Sequence, residues 1–135
     1  MSDIKQQDDA GSTVYPSLAK CVVVDSRLSS RHIIVRDLKA VALFDSIIEA
    51  MSVTDGEAHV GDGSADAVVF GPGLSPATVA GFLARMKTHA KAEHCAFVAV
   101  VAEEVKNTSI YEKGGVHCVL HQPYSKLTFF ETLVQ

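Results

Sequence analysis

The sequence predicts a doubly wound α/β domain, a three-layer sandwich in which a five-stranded parallel sheet lies between two layers of helices. Two observations predict it. Five short apolar runs alternate with segments whose apolar residues recur at helical spacing. The runs are continuously apolar, as is typical of strands covered on both faces. Short connections between alternating strands and helices imply parallel pairing with right-handed crossovers.

The first half of the chain supplies two strands and two helices. Residues 20–25 form the first strand, and Ser29 or Ser30 is predicted to cap the helix that follows. Residues 47–50 form a short second strand. Residues 54–60 allow at most a turn and a half of helix, because glycines interrupt the chain directly afterwards.

The third and fourth strands flank the clearest helix. Residues 67–70 and 96–102 are buried-type runs, and between them Ser75 and Pro76 have the sequence of a helix N-terminus. Apolar residues at i, i+3, i+4, i+7 and i+11 predict an amphipathic helix over residues 79–90.

The last part of the chain completes the alternation. Residues 103–113 are expected to form a helix weakened by the weak helix formers that start at Asn107. Residues 116–120 form the fifth strand, and Ser125 caps a final helix.

Length, charge and cysteine content restrict the function classes. A chain of 135 residues has room for one domain, predicted at 18–135, after a polar, flexible leader at 1–17. A net charge of -4 offers no basic field for a nucleic-acid backbone. The longest apolar run, 95–102, is far shorter than the ~20 residues of a membrane span. Three cysteines without close spacing or a signal segment indicate free thiols and a cytoplasmic location.

Several local motifs make the chain resemble the receiver domain of bacterial two-component response regulators over about residues 18–135. The resemblance implies a flavodoxin-like fold with strand order 2-1-3-4-5. It also implies a site beyond the carboxyl ends of the strands. The matching motifs are Asp25 and Gly71 at the family's interval, Ala50 with Asp55-Gly56 and Ala58 after the second strand, Gly73-Leu74-Ser75-Pro76, and Gln122-Pro123-Tyr124.

Carried over position by position, the resemblance implies that most of the phosphotransfer residues are missing. The family's acidic pair becomes Asp25-Ser26, its phosphate-accepting Asp becomes Gly71, its Thr or Ser becomes Val101, and its Lys becomes Gln122. Gly71 has no side chain to phosphorylate, and a lone Asp25 lacks the charge to hold Mg²⁺. We therefore predict a pseudo-receiver that is not an enzyme and has no metal or cofactor. Asp25 is expected to cap the next turn, accepting from amides near Leu28.

A module without phosphotransfer chemistry is expected to act through its surface. In receivers, the fourth helix, fifth strand and fifth helix dock a kinase, a regulator, an output domain or a second copy. The corresponding residues are Val105, Ile110, Tyr111, Val119 and Tyr124. Tyr111 is equally compatible with a half-exposed interface anchor and with packing against the sheet.

Two alternatives remain open from the sequence. The first is an atypical receiver that binds a small ligand or accepts phosphate elsewhere, through a pocket of Asp25, Ser26, His121 and Gln122. The second is a flavodoxin-like cofactor-binding protein, although the bulky Arg27 beside Ser26 is a poor start for an FMN phosphate loop.

Overall fold

The computed structural model describes residues 19–61, 63–89 and 94–134, and the predicted leader at 1–17 lies outside them. Strands and helices alternate throughout the described part of the chain. The elements are β1 (Lys20–Val24), α1 (Leu28–Val41), β2 (Ser46–Ala50), α2 (Val53–Gly61), β3 (Ala67–Phe70), α3 (Pro76–Met86), β4 (Ala96–Val101), α4 (Ser109–Gly114), β5 (Cys118–His121) and α5 (Lys126–Leu133).

The five strands form one parallel sheet in the order β2-β1-β3-β4-β5, which confirms the predicted fold class. Val24, the last residue of β1, lies in register with Ala50 on one side and Phe70 on the other. The carboxyl ends of these three strands are therefore level, and the residues that follow them meet at one edge of the sheet.

Each side of the sheet is covered by its own apolar cluster. Val22 and Val24 face the side of α2, α3 and α4, whereas Cys21 and Val23 face α1 and α5. This split follows from the two-residue period of a strand. Three phenylalanines anchor the first side, with ring centroids 5.4 to 6.4 Å apart: Phe70, Phe82 and Phe97.

The second helix is longer than the sequence predicts. α2 runs over nine residues, about two and a half turns rather than one and a half. A Cβ on Gly56 would lie 2.8 Å from Val24 Cγ2, so this glycine lets the helix approach β1 closely. Val60, fully buried, anchors its far end. Tertiary packing therefore overrides the low helix propensity of the segment.

The predicted caps of α1 are wrong. The N-cap is Arg27, and its side chain makes no capping hydrogen bond. Ser30 is buried and donates its hydroxyl proton to Asp25 Oδ2. The caps at Ser75 and Ser125 are confirmed, since each hydroxyl accepts from an amide three residues later.

Several element boundaries also differ from the prediction, most clearly those of α4, β5 and α3. α4 has only six residues, because Asn107 Oδ1 accepts from the Ser109 amide and hydroxyl and delays the start of the helix. β5 starts at Cys118, two residues later than predicted. α3 ends at Met86, and the predicted end at residue 90 lies outside the described residues. None of the helices in the described part of the chain is long and apolar enough to span a bilayer.

Candidate functional site

The carboxylate of Asp25 lies at the centre of the carboxyl edge of the sheet and is fully buried. Its Oδ1 accepts hydrogen bonds from the amides of Arg27 and Gly73, each at 3.0 Å. Its Oδ2 accepts from the hydroxyl of Ser30. Asp25 therefore caps the turn before α1, as expected, through the Arg27 amide rather than one nearer Leu28.

The loop after β3 passes so close to Asp25 that only glycine fits at two positions. A Cβ at Gly71 would lie 2.0 Å from Asp25 Oδ2, and a Cβ at Gly73 would lie 2.2 Å from Asp25 Oδ1. Gly71 continues the sheet, since its amide donates to the Val24 carbonyl at 2.8 Å. The Asp25 carboxylate thus occupies the space into which a side chain at position 71 would have to project.

Further hydrogen bonds tie this arrangement to its surroundings. Ser26, exposed, donates from Oγ to the Gly73 carbonyl at 3.0 Å. Arg31, buried, donates from Nη1 to the Asp25 carbonyl at 2.7 Å and from Nε to Glu49 Oε1 on β2 at 3.0 Å. The strand end is therefore fixed from both neighbouring strands, β2 and β3.

The other two residues carried over from the resemblance lie at the ends of β4 and β5. Val101 is buried, and its carbonyl accepts from the Gln122 amide at 2.8 Å. His121 is exposed, and its Nε2 lies 3.0 Å from the Val105 carbonyl. Asp25 and Gly71 are thus brought into contact on β1 and β3, while Val101 and Gln122 adjoin each other on β4 and β5.

The residues at this edge do not fit the Mg²⁺ site that the fold implies. Mg²⁺ takes carboxylate and other oxygen ligands in octahedral geometry. Here the Asp25 carboxylate has both oxygens occupied by donors from the protein, and Gly71 contributes no oxygen from a side chain. Within the described ranges, no group of three or more His, Cys, Asp and Glu side chains is placed to hold a metal ion.

The two buried thiols, Cys21 and Cys95, lack the lowered pKa that activates a nucleophilic thiol. Burial raises the pKa of the Cys95 thiol to about 12 and that of Cys21 further still. Both thiols are therefore protonated at neutral pH, and a protonated thiol is a poor nucleophile.

Of the five residues predicted for the partner face, one is buried, three are half-buried and one is exposed. Tyr111 is buried in the apolar cluster on the side of α2, α3 and α4. It is the buried residue of the six-residue α4 and attaches this short helix to the core. Val105 and Val119 are half-buried against the same cluster. Tyr124 packs on the opposite side, stacked on Phe129, with its hydroxyl donating to Asp37 Oδ2 at 2.7 Å. Ile110 remains exposed.

The roles of three residues in the site escape the sequence analysis. Ser30, Arg31 and Gly73 hold Asp25 in place, yet each has an ordinary alternative: a helix cap, a surface charge and a loop glycine. The one usable signal is the pair Gly71 and Gly73 around Pro72, since two glycines in a short loop after a buried strand indicate a close backbone approach.

Comparison with known proteins places the fold. No family model and no curated protein matches the sequence. Solved structures do match. Chemotaxis protein CheY4 of Vibrio cholerae is 16% identical to this chain, with a TM-score of 0.71, and the match covers 87% of this chain and 97% of CheY4. The chain has the receiver fold.

Two further structures agree with that assignment. A response regulator receiver domain protein of Clostridium thermocellum is 19% identical, with a TM-score of 0.70, and the match covers 87% of this chain and 92% of that protein. A Chloroflexus aurantiacus protein described as a response regulator is 13% identical, with a TM-score of 0.74, and the match covers 85% of this chain and 93% of that protein. At these identities the likeness establishes the receiver fold.

Proposed function

We propose that this chain is a pseudo-receiver, a non-catalytic cytoplasmic module of two-component or phosphorelay signalling that acts through contact with a protein partner. The observation that carries the proposal is the position of Asp25. Its buried carboxylate fills the space next to Gly71, and a Cβ there would lie 2.0 Å from Oδ2. The acceptor is thus missing and its place is also filled.

The remaining positions support the same conclusion on chemical grounds. A phosphoryl group needs cationic and hydrogen-bonding partners as its charge develops in the transition state. Val101 is apolar and buried, and the amide of the Gln122 side chain is neutral. The residue types at these strand ends therefore supply no charge stabilisation for phosphoryl transfer.

The small-ligand alternative receives no support from this edge of the molecule. A ligand in the Asp25 region would have to break the bonds from Arg27, Gly73 and Ser30, and loss of a bond to a charged group costs about 1.5 to 3 kcal/mol. The flavin alternative meets a similar obstacle, because the Ser26 hydroxyl is engaged by the Gly73 carbonyl.

The proposal that this edge does not bind a phosphoryl group is tested by amide NMR of the whole chain. Spectra are recorded with Mg²⁺ alone, with fluoride and Mg²⁺, and with beryllium fluoride and Mg²⁺. We expect the amides of Gly71, Val101 and Gln122 to keep their positions in all three samples. Saturable shifts at these amides with beryllium fluoride only would contradict the proposal. Intact mass after incubation with acetyl phosphate should likewise show no added phosphoryl group.

The contact with a partner is tested separately by affinity capture from the native cells. Ile110 is the exposed member of the predicted partner face, so Ile110→Glu is the variant and Ile33→Glu, an exposed isoleucine on α1, is the matched control. We expect a two-component kinase, regulator or output protein that the wild type and the control retain and Ile110→Glu loses. Equal retention by all three would reject this face.

A further inference from the structure

A shallow groove lies between the end of α1 and the start of α5, and its volume is about 310 Å³. Its walls are Ala40, Val41, Lys126, Leu127 and Phe130. Leu127 and Phe130 are 66% and 39% exposed. The inner face of α5 is already apolar, with Phe129 fully buried. A surface helix needs one apolar face to pack on its domain, so the second face at the groove is available for an interaction.

The groove lies near the point at which the amino-terminal leader joins the domain. Ala19 is the first described residue, and its carbonyl accepts hydrogen bonds from the amides of Asp45 and Ser46 at 3.0 and 3.3 Å. Val41 in the groove wall comes four residues before Asp45. Four residues of extended chain span at most about 14 Å. The residues that directly precede Ala19 are therefore within reach of the groove.

The last part of the leader has the side chains that an apolar groove binds. Val14 and Tyr15 come five and four residues before Ala19, so they too can lie within about 18 Å of it. A tyrosine ring is large and has few rotatable bonds, which is why tyrosine is common among the anchors of interfaces. Pro16 disfavours the helical conformation for Tyr15 and biases it towards an extended one, the form in which a peptide lies along a groove.

The charges of the groove and of the leader are opposite. Lys126 is a groove wall and Lys39 adjoins another, and both lysines are exposed. Within the described ranges neither forms an ion pair, whereas Arg36 nearby pairs with Asp37 at 3.1 Å. The leader at 1–17 carries three aspartates and one lysine. The groove is thus a positive region of a chain whose net charge is -4, and the leader is acidic.

We propose that the leader docks on this groove of its own chain. Val14 and Tyr15 cover the exposed apolar side chains of α5, and the aspartates at 8 and 9 lie near the two lysines. A contact of this size has a dissociation constant on the order of 1 mM. A short tether supplies an effective concentration of the same order, so about half of the molecules have the leader docked. A protein that binds the groove must first displace the leader.

The tether favours the leader over any free occupant of similar affinity. At about 5 μM protein, a free partner with a dissociation constant of about 1 mM would fill the groove in only about 0.5% of the molecules. The effective concentration of the tethered leader does not fall on dilution. The proposal rests on the groove and the leader, and it does not depend on the pseudo-receiver proposal.

The test is amide NMR of the whole chain, in which each substitution is monitored on the opposite side of the contact. Tyr15→Ser removes the apolar anchor, and the amides monitored are those of Val41 and Leu127. We expect both signals to move as the docked fraction falls from about half to below about a tenth. Ile4→Ser is the matched control, because it removes an apolar leader residue far from Ala19 and should leave both signals in place.

The groove side is tested by two substitutions that are monitored at the amides of Val14 and Tyr15. Leu127→Ser removes an apolar wall, and Lys126→Glu reverses a charge. Both should move the leader signals, and the charge reversal should lower the docked fraction about twofold. About 0.5 M salt should act in the same direction, since it screens exposed charges. Lys106→Glu, in the loop before α4, is the control with the same charge change and should have no effect.

The variants are chosen so that loss of folding cannot imitate the result. Leu127 is mostly exposed, and Lys126→Glu places an acid at the start of α5, which favours the helix dipole. Circular dichroism of each variant checks the helix content. A nuclear Overhauser contact between the Tyr15 ring and the Leu127 methyl groups is the direct sign of docking.

Two outcomes would overturn the proposal. Groove signals that Tyr15→Ser leaves unchanged would mean that the leader does not occupy the groove and that a different protein covers it. Groove signals that move with protein concentration between about 20 and about 500 μM would mean that the leader binds a second copy rather than its own chain. Docking within one chain predicts the same spectrum over this whole range.

Discussion

The carboxyl edge of β1 and β3 and the outer face of α5 differ in how their functional groups are used. At the strand edge, Asp25 is fully buried and both its oxygens accept bonds from the protein. On α5, Leu127 leaves two-thirds of its surface in water. A site whose groups are satisfied internally has nothing left for a ligand, whereas exposed apolar surface can still stabilise an association.

The largest effect is expected from Gly71→Ala, because even a methyl group there would lie 2.0 Å from Asp25 Oδ2. We expect a loss of about 3 kcal/mol in the free energy of unfolding, measured with urea at low protein concentration. Gly81→Ala is the control, since its Cβ would meet only Arg85 Nη1 at 3.7 Å within α3. That change should stabilise by about 0.5 to 1 kcal/mol. Similar values for both variants would show that the strand edge is not tightly filled.

A double-mutant cycle sharpens the same point. Gly71→Asp should cost less in a chain that already carries Asp25→Gly, because the space next to position 71 is then vacant. We expect a favourable coupling of about 2 kcal/mol between the two substitutions. Additive free energies of unfolding would mean that the two positions do not compete for one space.

Tyr124 precedes α5 and stacks on Phe129, and removal of its hydroxyl should have an intermediate effect. Tyr124→Phe deletes the bond to Asp37 Oδ2 and should cost about 1 kcal/mol at neutral pH. Burial, together with Asp37, raises the Tyr124 pKa above its ordinary value of 10.0. The folded state thus keeps its proton where the unfolded state loses it, so this stability is present below about pH 10 and lost above it.

The measurement is urea unfolding of the wild type and Tyr124→Phe from neutral pH to about pH 11. The difference in free energy of unfolding between the two chains should become smaller as the pH rises through this range. Tyr111, whose pKa burial also raises, is present in both chains and therefore cancels in the comparison. A gap that stays constant would contradict the role assigned to the Tyr124 hydroxyl.

The smallest effect on stability is expected from Leu127→Ser on α5. Its side chain is 66% exposed, so the free energy of unfolding of the monomer at about 5 μM should change by less than about 0.5 kcal/mol. A loss of several kcal/mol in the monomer would mean that Leu127 belongs to the core and would remove the contrast between the two regions.

The fold could be predicted from the sequence because its signals are local and redundant. Runs such as Val22-Val23-Val24 and Ala67-Val68-Val69-Phe70 identify buried parallel strands without knowledge of the rest of the chain. That Gly71, Val101 and Gln122 stand at the family's phosphotransfer positions is a prediction from residue type and order, and it stays a prediction.

The contacts that define the site could not be predicted, because they join residues far apart in the chain. The bond from the Gly73 amide to Asp25 spans 48 positions, and nothing near Asp25 announces it. From the sequence Tyr111 is ambiguous, because its burial depends on how closely the six-residue α4 packs on its neighbours. Periodicity determines which face is apolar but not what covers that face.

The close approach of Gly71 to Asp25 also bears on how such a chain can change over generations. A single substitution that places an acid at position 71 would bring two side chains into one space and lower stability. Loss of the acid at position 25 before any change at position 71 would leave the amides of Arg27 and Gly73 without their acceptor. Both single substitutions pass through a less stable protein, so we expect positions 25 and 71 to change together rather than one at a time.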